Sequence, residues 1–369
     1  MKVSKKTADP ILLTLVSVLV GGGFLVFTSA ALGLLAREGA TFQSVAFNQF
    51  FFGIVGGGLA LALGSIIHYR HWRQYAFYIF LATCALALLV YVPGVGFTHA
   101  GATRWISIGG FTMQPAEFLK IGCIIYLATW LSGVHKDINT FRRGTLPFFG
   151  LLTIPGLILL SQPDTDSFLI IATAATAMFL VAGGRWRDML LLFVVGAVLL
   201  AALAFSRPYV MDRLTSFMDP SLDPQGSGYQ ISQSLIAIGS GGLTGRGFGQ
   251  SIQKFEYLPE PIGDSIFAVY AEEFGFLGTI TLIALLSAFT FRGYRLATEA
   301  RDLFGMLLVV GVITFIAFQA FLNIASMVGL VPVAGIPLPF ISHGGTALLV
   351  TLGAVGIVLN VSKYRTKRP

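Results

Sequence analysis

The chain has 369 residues, of which 55% are hydrophobic and only 11% charged, and its mean hydropathy is +0.80. A soluble domain carries about 25% charged residues, so a water-facing globular core is excluded and a bilayer is the solvent this composition fits. The net charge of +7 would point to nucleic acid in a soluble protein. Here no basic stripe with interleaved aromatics is present, and no nucleic-acid partner is expected.

After MKVSKK, an uncharged run reaches from Ile11 to Ala36. It is longer than the roughly 7–15-residue apolar core of a signal peptide, so it reads as an uncleaved first helix. A membrane-crossing helix needs about 20 apolar residues. Ten segments meet that description: 11–33, 46–67, 75–92, 114–133, 146–161, 167–184, 189–205, 264–291, 304–328 and 343–361. The fifth is short and contains Pro147 and Pro155. The expected fold class is all-α, one polytopic membrane domain over 1–369.

Loop charge sets the orientation. With a cytoplasmic N-terminus and ten crossings, Lys2, Lys5, Lys6, Arg70, Arg73, Lys136, Arg142, Arg143, Arg185, Arg187, Arg292, Arg295, Arg301, Lys363, Arg365, Lys367 and Arg368 all fall inside. Only Arg37, Arg104, Arg207, Arg213, Arg246 and Lys254 fall outside. That bias obeys the positive-inside rule and puts both termini in the cytoplasm. The exterior connection 206–263, between helices seven and eight, is much longer than most others. It holds an amphipathic stretch from Tyr229 to Ile238 and a glycine-rich turn at 239–249.

Ionisable groups in apolar segments carry the chemical signal, because an unpaired charge in lipid is costly. Glu117 and Lys120 are three residues apart and share a helix face; they are a structural ion pair, a polar cavity floor, or both. Glu272 and Glu273 are adjacent, so at least one should find a polar partner. Asp264 begins segment eight at the outer interface. A helix-capping aspartate and a reactive carboxylate facing the exterior loop are both open readings. Arg213, Arg246 and Lys254 in that loop, and Arg104 beside Trp105, oppose the topological bias; binding a diphosphate would explain them, and scattered solvated charges are the equal alternative for any one of them. Cys84 and Cys123 read as packing residues. The five histidines have no metal-ligand spacing, and GRGFG at 245–249 lacks the Lys-Ser/Thr of a nucleotide loop. From residues alone, an enzyme on a lipid-linked substrate and a secondary transporter stand level.

Four stretches add a resemblance. They are GATRWISIGGFTMQPAEFLKI at 101–121, QPDTDS at 162–167, GRGFGQSIQKFEYLPEPIGDSIFAVYAEEFGFLG at 245–278 and GIPLPFISHGGTALL at 335–349. In this order they resemble the SEDS proteins (shape, elongation, division and sporulation). QKFEYLPE is more similar to the division branch, FtsW, than to the elongation branch, RodA. The resemblance implies a peptidoglycan glycosyltransferase in the bacterial cytoplasmic membrane. It implies lipid II and a nascent glycan strand as substrates, a class B penicillin-binding protein as partner among other division or elongation proteins, and undecaprenyl diphosphate as leaving group. It also implies Asp264 as the essential acid.

The expected diphosphate cations are, in falling order, Arg246, Lys254 and Arg213, with a divalent cation (Mg or Mn) as a possible assistant. Arg104, Trp105, Gln114 and Gln162 lie in the matching motifs, Glu117 and Lys120 should shape the cavity floor, and Ser342, Gly344 and Gly345 should sit near the last helix. Gly263 and Ser265 around Asp264, His343, and Asp164-Thr165-Asp166 after Pro163 depart from the usual family residues. A lipid flippase and a scaffold for a transpeptidase are the rival functions.

Overall fold

Asp9 and Pro10 start the first helix: Pro10 has no N–H to lose at the first helical position, and the Asp9 carboxylate accepts from Leu12 N at 2.9 Å. In the computed structural model, helix α1 runs Pro10–Ala31. The structure describes residues 7–36, 42–99, 102–108, 111–206, 208–220, 223 and 226–365. The orientation assigned from Lys2, Lys5, Lys6, Arg37, Arg207, Lys367 and Arg368 therefore rests partly on positions outside the described residues.

The helices that follow are α2 (Phe42–Asn48), α3 (Gly57–Ile66), α4 (Tyr69–Leu88), α5 (Pro115–Val134), α6 (Leu146–Ser161) and α7 (Thr165–Val181). After them come α8 (Trp186–Ser206), α9 (Pro208–Met218), α10 (Ser227–Ser240), α11 (Ile266–Thr298), α12 (Leu303–Met327) and α13 (Gly345–Lys363). Among the described residues, eight helical stretches are long and apolar enough to cross a membrane. A π-helical stretch, Gln49–Gly56, joins α2 to α3 within one of them. The expected segments at 167–184 and 189–205 coincide with α7, a shorter apolar helix of 17 residues, and α8, of 21.

The all-α expectation needs one correction. Between α4 and α5 lies a three-stranded antiparallel sheet, β1 (Gly96–His99), β2 (Ala102–Ile108) and β3 (Phe111–Met113), in that order. Phe97 pairs with Trp105 and Ser107 with Thr112. The reason is local: Thr, Ile, Trp and Phe, punctuated by glycines, favour short paired strands over helix.

Helix α12 is the most enclosed span, packing on α5, α7, α11 and α13. Helices α3 and α13 approach through small residues: a Cβ on Gly64 would stand 2.7 Å from Gly353 O, and one on Gly356 would stand 2.4 Å from Leu61 O. With no hydrophobic drive between helices in lipid, such backbone approach supplies the packing. At one end of the bundle the buried Asp9 carboxylate receives Arg292 Nε and Arg365 Nη1, each at 2.9 Å. The three ends of α1, α11 and α13 are thereby tied together.

Helix α11 is broken. Gly275 has φ 64° and ψ −163°, a conformation essentially restricted to glycine. A break frees backbone groups that lipid cannot satisfy. The glycine-rich loop after α10 satisfies them. Arg246 N and Gly247 N donate to Glu272 O and Glu273 O, both at 3.0 Å, while Phe276 N and Leu277 N donate to Gly242 O at 2.9 Å and Leu243 O at 3.1 Å. Gly245, at φ 82°, is so close that its own Cβ would stand 2.1 Å from Glu273 O.

Candidate active site

Asp264 lies in the turn that leads into α11. The turn is closed by Gly263 N donating to Glu260 O at 3.0 Å and Ser265 N to the same oxygen at 3.2 Å. Ser265, not Asp264, occupies the N-cap position. The capping reading of Asp264 therefore loses its ground, and its carboxyl is left for other work.

Helix α12 and the 335–344 segment fix the backbone around it. Asn323 Nδ2 donates to both Asp264 O and Ile336 O at 2.8 Å. Ser342 Oγ accepts from Leu338 N at 2.8 Å and donates to Gly263 O at 2.7 Å. His343 N donates to Ile262 O at 2.7 Å. Beneath this layer, Gln319 Nε2 donates to Pro337 O at 3.0 Å, and its Oε1 accepts from Lys120 Nζ at 2.9 Å. Lys120 in turn pairs with Glu117 at 2.8 Å. All three of these side chains are buried, so the pair is a floor under the loop that carries the site.

The other wall comes from the 206–263 connection. Arg213 on α9 places Nη1 3.0 Å from Oδ2 of Asp166 in the first turn of α7. A Cβ built on Gly335 would stand 3.7 Å from Arg213 Nη2 and 3.8 Å from Asp264 Oδ2. Those two groups thus face one open space over Gly335, which is itself exposed. Burial, and then the charge of Glu260, push the Asp264 carboxyl up to about 7, against the opposing influence of Arg213 and a hydrogen bond from Gln230. A carboxyl poised near neutrality, half-buried beside a guanidinium, is suited to taking a proton.

The remaining nominated residues are placed as follows. Lys254 is not at this space: its ammonium is 0% exposed and donates to Glu273 Oε1 at 2.8 Å, Ser29 Oγ at 3.0 Å and Gly249 O at 2.9 Å. An ammonium has three donors, and all three are used. Arg246, 39% exposed, pairs with buried Glu272 at 3.3 Å. Both adjacent glutamates are therefore engaged, because Glu272 also accepts from Ser251 Oγ at 2.5 Å and Ile252 N at 3.0 Å. Arg104 hydrogen-bonds the Gln162 and Pro163 carbonyl oxygens, Gln162 Nε2 donates to Ala87 O at 2.7 Å, and Trp105 pairs in the sheet; these residues brace the α6–α7 turn. Gln114 is the residue before α5, with no capping bond from its side chain. Gly344 N donates to Gln49 Oε1 at 3.1 Å, and a Cβ on Gly345 would stand 3.1 Å from Phe52 Cβ.

Gln230, Gln319, Asn323 and Gly335 were not singled out from sequence, and Asp166 was noted only as a departure from the usual family residues. Gln319 and Asn323 had a legible signal, two polar residues one turn apart in an otherwise apolar helix. Asp166 and Gly335 lie inside motifs that carried the resemblance. Among the described residues no group of three His, Cys, Asp or Glu could hold a metal ion.

Comparison with known proteins completes the picture. The family model described as "Cell cycle protein", which groups FtsW, RodA and SpoVE, matches residues 10–367. The stage V sporulation protein E of Bacillus subtilis is 40% identical over 98% of this chain and 99% of its own length. A probable peptidoglycan glycosyltransferase FtsW of Geobacter metallireducens is 41% identical over 83% of this chain and 82% of its own. Among solved structures, a chain described under "Structural coordination of polymerization and crosslinking by a peptidoglycan synthase complex" superposes with a TM-score of 0.80 at 27% identity, covering 98% of this chain and 99% of that one. The rod shape determining protein RodA of Thermus thermophilus gives 0.72 at 26% identity, covering 98% of each. With a family model spanning nearly its whole length and relatives at 40% identity, this chain belongs to the FtsW/RodA/SpoVE family, the SEDS proteins.

Proposed function

We propose that the chain is a peptidoglycan glycosyltransferase that polymerises lipid II into glycan strands at the outer face of the cytoplasmic membrane. The observation that carries this is the opposition of the Asp264 carboxyl and the Arg213 guanidinium across the open space over Gly335. The relatives named as probable peptidoglycan glycosyltransferases support the reaction class, and α7 and α8 added to the eight apolar spans give ten crossings. An even number puts both termini on one side, and the loop charges favour the cytoplasm for that side, with the 206–263 connection outside.

Forming a β-1,4 bond from an α-linked sugar diphosphate inverts the anomeric carbon, so one displacement suffices. The acceptor 4-hydroxyl oxygen bonds to the anomeric carbon of the donor while the bond from that carbon to the diphosphate oxygen breaks. The electron pair leaves on undecaprenyl diphosphate, and the hydroxyl proton passes to Asp264 as general base. Arg213 answers the charge that develops on the diphosphate. Lys254, closed within its own ion pair, is no longer a diphosphate ligand in this account, and Arg246 belongs to the helix break. A divalent cation over Gly335 would meet the Arg213 guanidinium, so no step is assigned to one.

A class B penicillin-binding protein is the proposed partner, supported by the likeness to a chain of a peptidoglycan synthase complex. A division role is supported by QKFEYLPE and by the relatives named FtsW. The rival carrier reading draws on the broken α11, since transporters place substrates at helix breaks. Here the freed backbone groups are taken by the 242–247 loop, which favours the polymerase.

The test is lipid II polymerisation by the purified protein with its cognate transpeptidase, comparing wild type with Asp264→Asn. Glycan strands from wild type and a loss of at least about 100-fold in the variant would support the reaction and the base. Strands from both would remove Asp264 from the chemistry. No strands from wild type, with lipid II crossing vesicle bilayers instead, would replace the polymerase with the carrier.

A further inference from the structure

Glycine at 335 is required neither by backbone nor by packing. Its φ is not among the positive values, and among the described residues, its two chain neighbours aside, the only atoms within 4 Å of a Cβ built there are Arg213 Nη2 and Asp264 Oδ2. At 3.7 and 3.8 Å both contacts are ordinary van der Waals distances. A methyl group would therefore fit the fold and fill nothing except the gap between the two charged groups.

Arg213 has a long side chain with many rotamers, and fixing it costs entropy unless a partner holds it. Asp166 supplies that partner and does so through one nitrogen: Nη1 donates to Asp166 Oδ2 at 3.0 Å, while Nη2 is the nitrogen turned to Gly335. The guanidinium fork is rigid and planar, so pinning one arm aims the other. The pair is largely enclosed, at 25% and 16% side-chain exposure, which protects it from solvent screening.

We propose that Asp166 is a positioning residue and Gly335 a specificity-determining one: Asp166 aims Arg213 Nη2 at Asp264, across a slot that the absent Gly335 side chain keeps open for the phosphate-bearing end of a lipid-linked sugar donor. This rests on the function proposed above and deepens it. Asp166 acts only through Arg213. Gly335 acts only by the volume it leaves empty.

The experiment uses the full chain with its transpeptidase partner. It measures donor KM and kcat in polymerisation, binding of undecaprenyl diphosphate by the shift it causes in unfolding temperature, and the unfolding temperature without ligand. Asp166→Asn should raise donor KM about tenfold and weaken undecaprenyl diphosphate binding, with little change in the unliganded unfolding temperature. Asp166→Glu should restore part of the loss, and Asp166→Asn should add nothing in an Arg213→Ala background. Gly335→Ala should fold as wild type yet lose at least about tenfold in kcat/KM.

Multiplicative losses from Asp166→Asn and Arg213→Ala would overturn the positioning role. Wild-type kinetics and binding in Gly335→Ala would overturn the slot. If wild type polymerises and the variants do not differ from it, this proposal alone falls. If wild type neither polymerises nor binds undecaprenyl diphosphate, the function proposed above falls and takes this one with it.

Discussion

Lys254 and Glu273 form an ion pair of 2.8 Å in which neither side chain exposes any surface. The pair links the 206–263 connection to α11, and Ser29 extends it to α1 by donating to Glu273 Oε1 at 2.6 Å. Breaking a buried pair leaves an uncompensated charge and costs about 3–5 kcal/mol. Lys254→Met should therefore lower the unfolding temperature in detergent markedly. Arg246→Ala should cost only about 1 kcal/mol, because Arg246 is partly exposed and Glu272 keeps its bonds from Ser251 and Ile252. Equal stability losses in thermal unfolding would contradict the distinction.

Polymerisation should depend on pH through Asp264. Its carboxyl, raised to about 7 by burial and by Glu260, must be deprotonated to act as a base. The rate under limiting donor should rise with pH through about 7 and level off above it. Removing the nearby charge in Glu260→Gln should move the rising limb to lower pH. Stability has the opposite slope: a carboxyl with a raised folded-state value holds its proton in the folded form after the unfolded chain has lost it. The folded state should therefore lose stability as pH rises from about 4 to about 7 and change little above. A rate profile flat across pH 6–8 would contradict the assignment.

Gly275 has φ 64°, and a Cβ there would stand 2.3 Å from Gly245 N. Gly275→Ala adds both backbone strain of about 1–3 kcal/mol and a clash that a backbone atom cannot relieve. Yield of folded protein and unfolding temperature should both fall. Gly21→Ala, where a Cβ meets nothing within 4 Å, is the control and should change neither.

Glu117 and Lys120 test whether the cavity floor is structural. Lys120→Met should destabilise by about 3–5 kcal/mol, and adding Glu117→Gln should recover much of that, because the second change removes the stranded charge. Should the double variant regain stability and still polymerise, the pair is a support for the 335–344 segment through Gln319. Should it regain stability without activity, the ionised pair contributes to the site.

Membrane class, most span positions and the family were legible because apolar run length and four spaced motifs are local features of the chain. The sheet over 96–113 escaped, since a short strand run between two long apolar helices carries little periodic signal. Sequence ranked Lys254 ahead of Arg213 as a diphosphate ligand, an order that nothing in their local sequence could test. Both are cations in the same 206–263 connection, and only the fold shows one closed against Glu273 and the other turned to the space it shares with Asp264. Likewise the adjacency of Glu272 and Glu273 on one helix promised a polar partner for at least one of them. A loop that wraps the break, with Ser251 and Lys254 on it, gives each a partner.

The backbone bonds across the break in α11 bear on how relatives in this family exchange parts. Four main-chain groups at Glu272, Glu273, Phe276 and Leu277 are completed by residues 242–247 and not by their own helix. A chimera that transplants the glycine-rich loop alone keeps its ends but risks the registration of those four bonds. The inheritable unit is the stretch 241–277, and a graft cut at the helix boundary would divide a single structural piece in two.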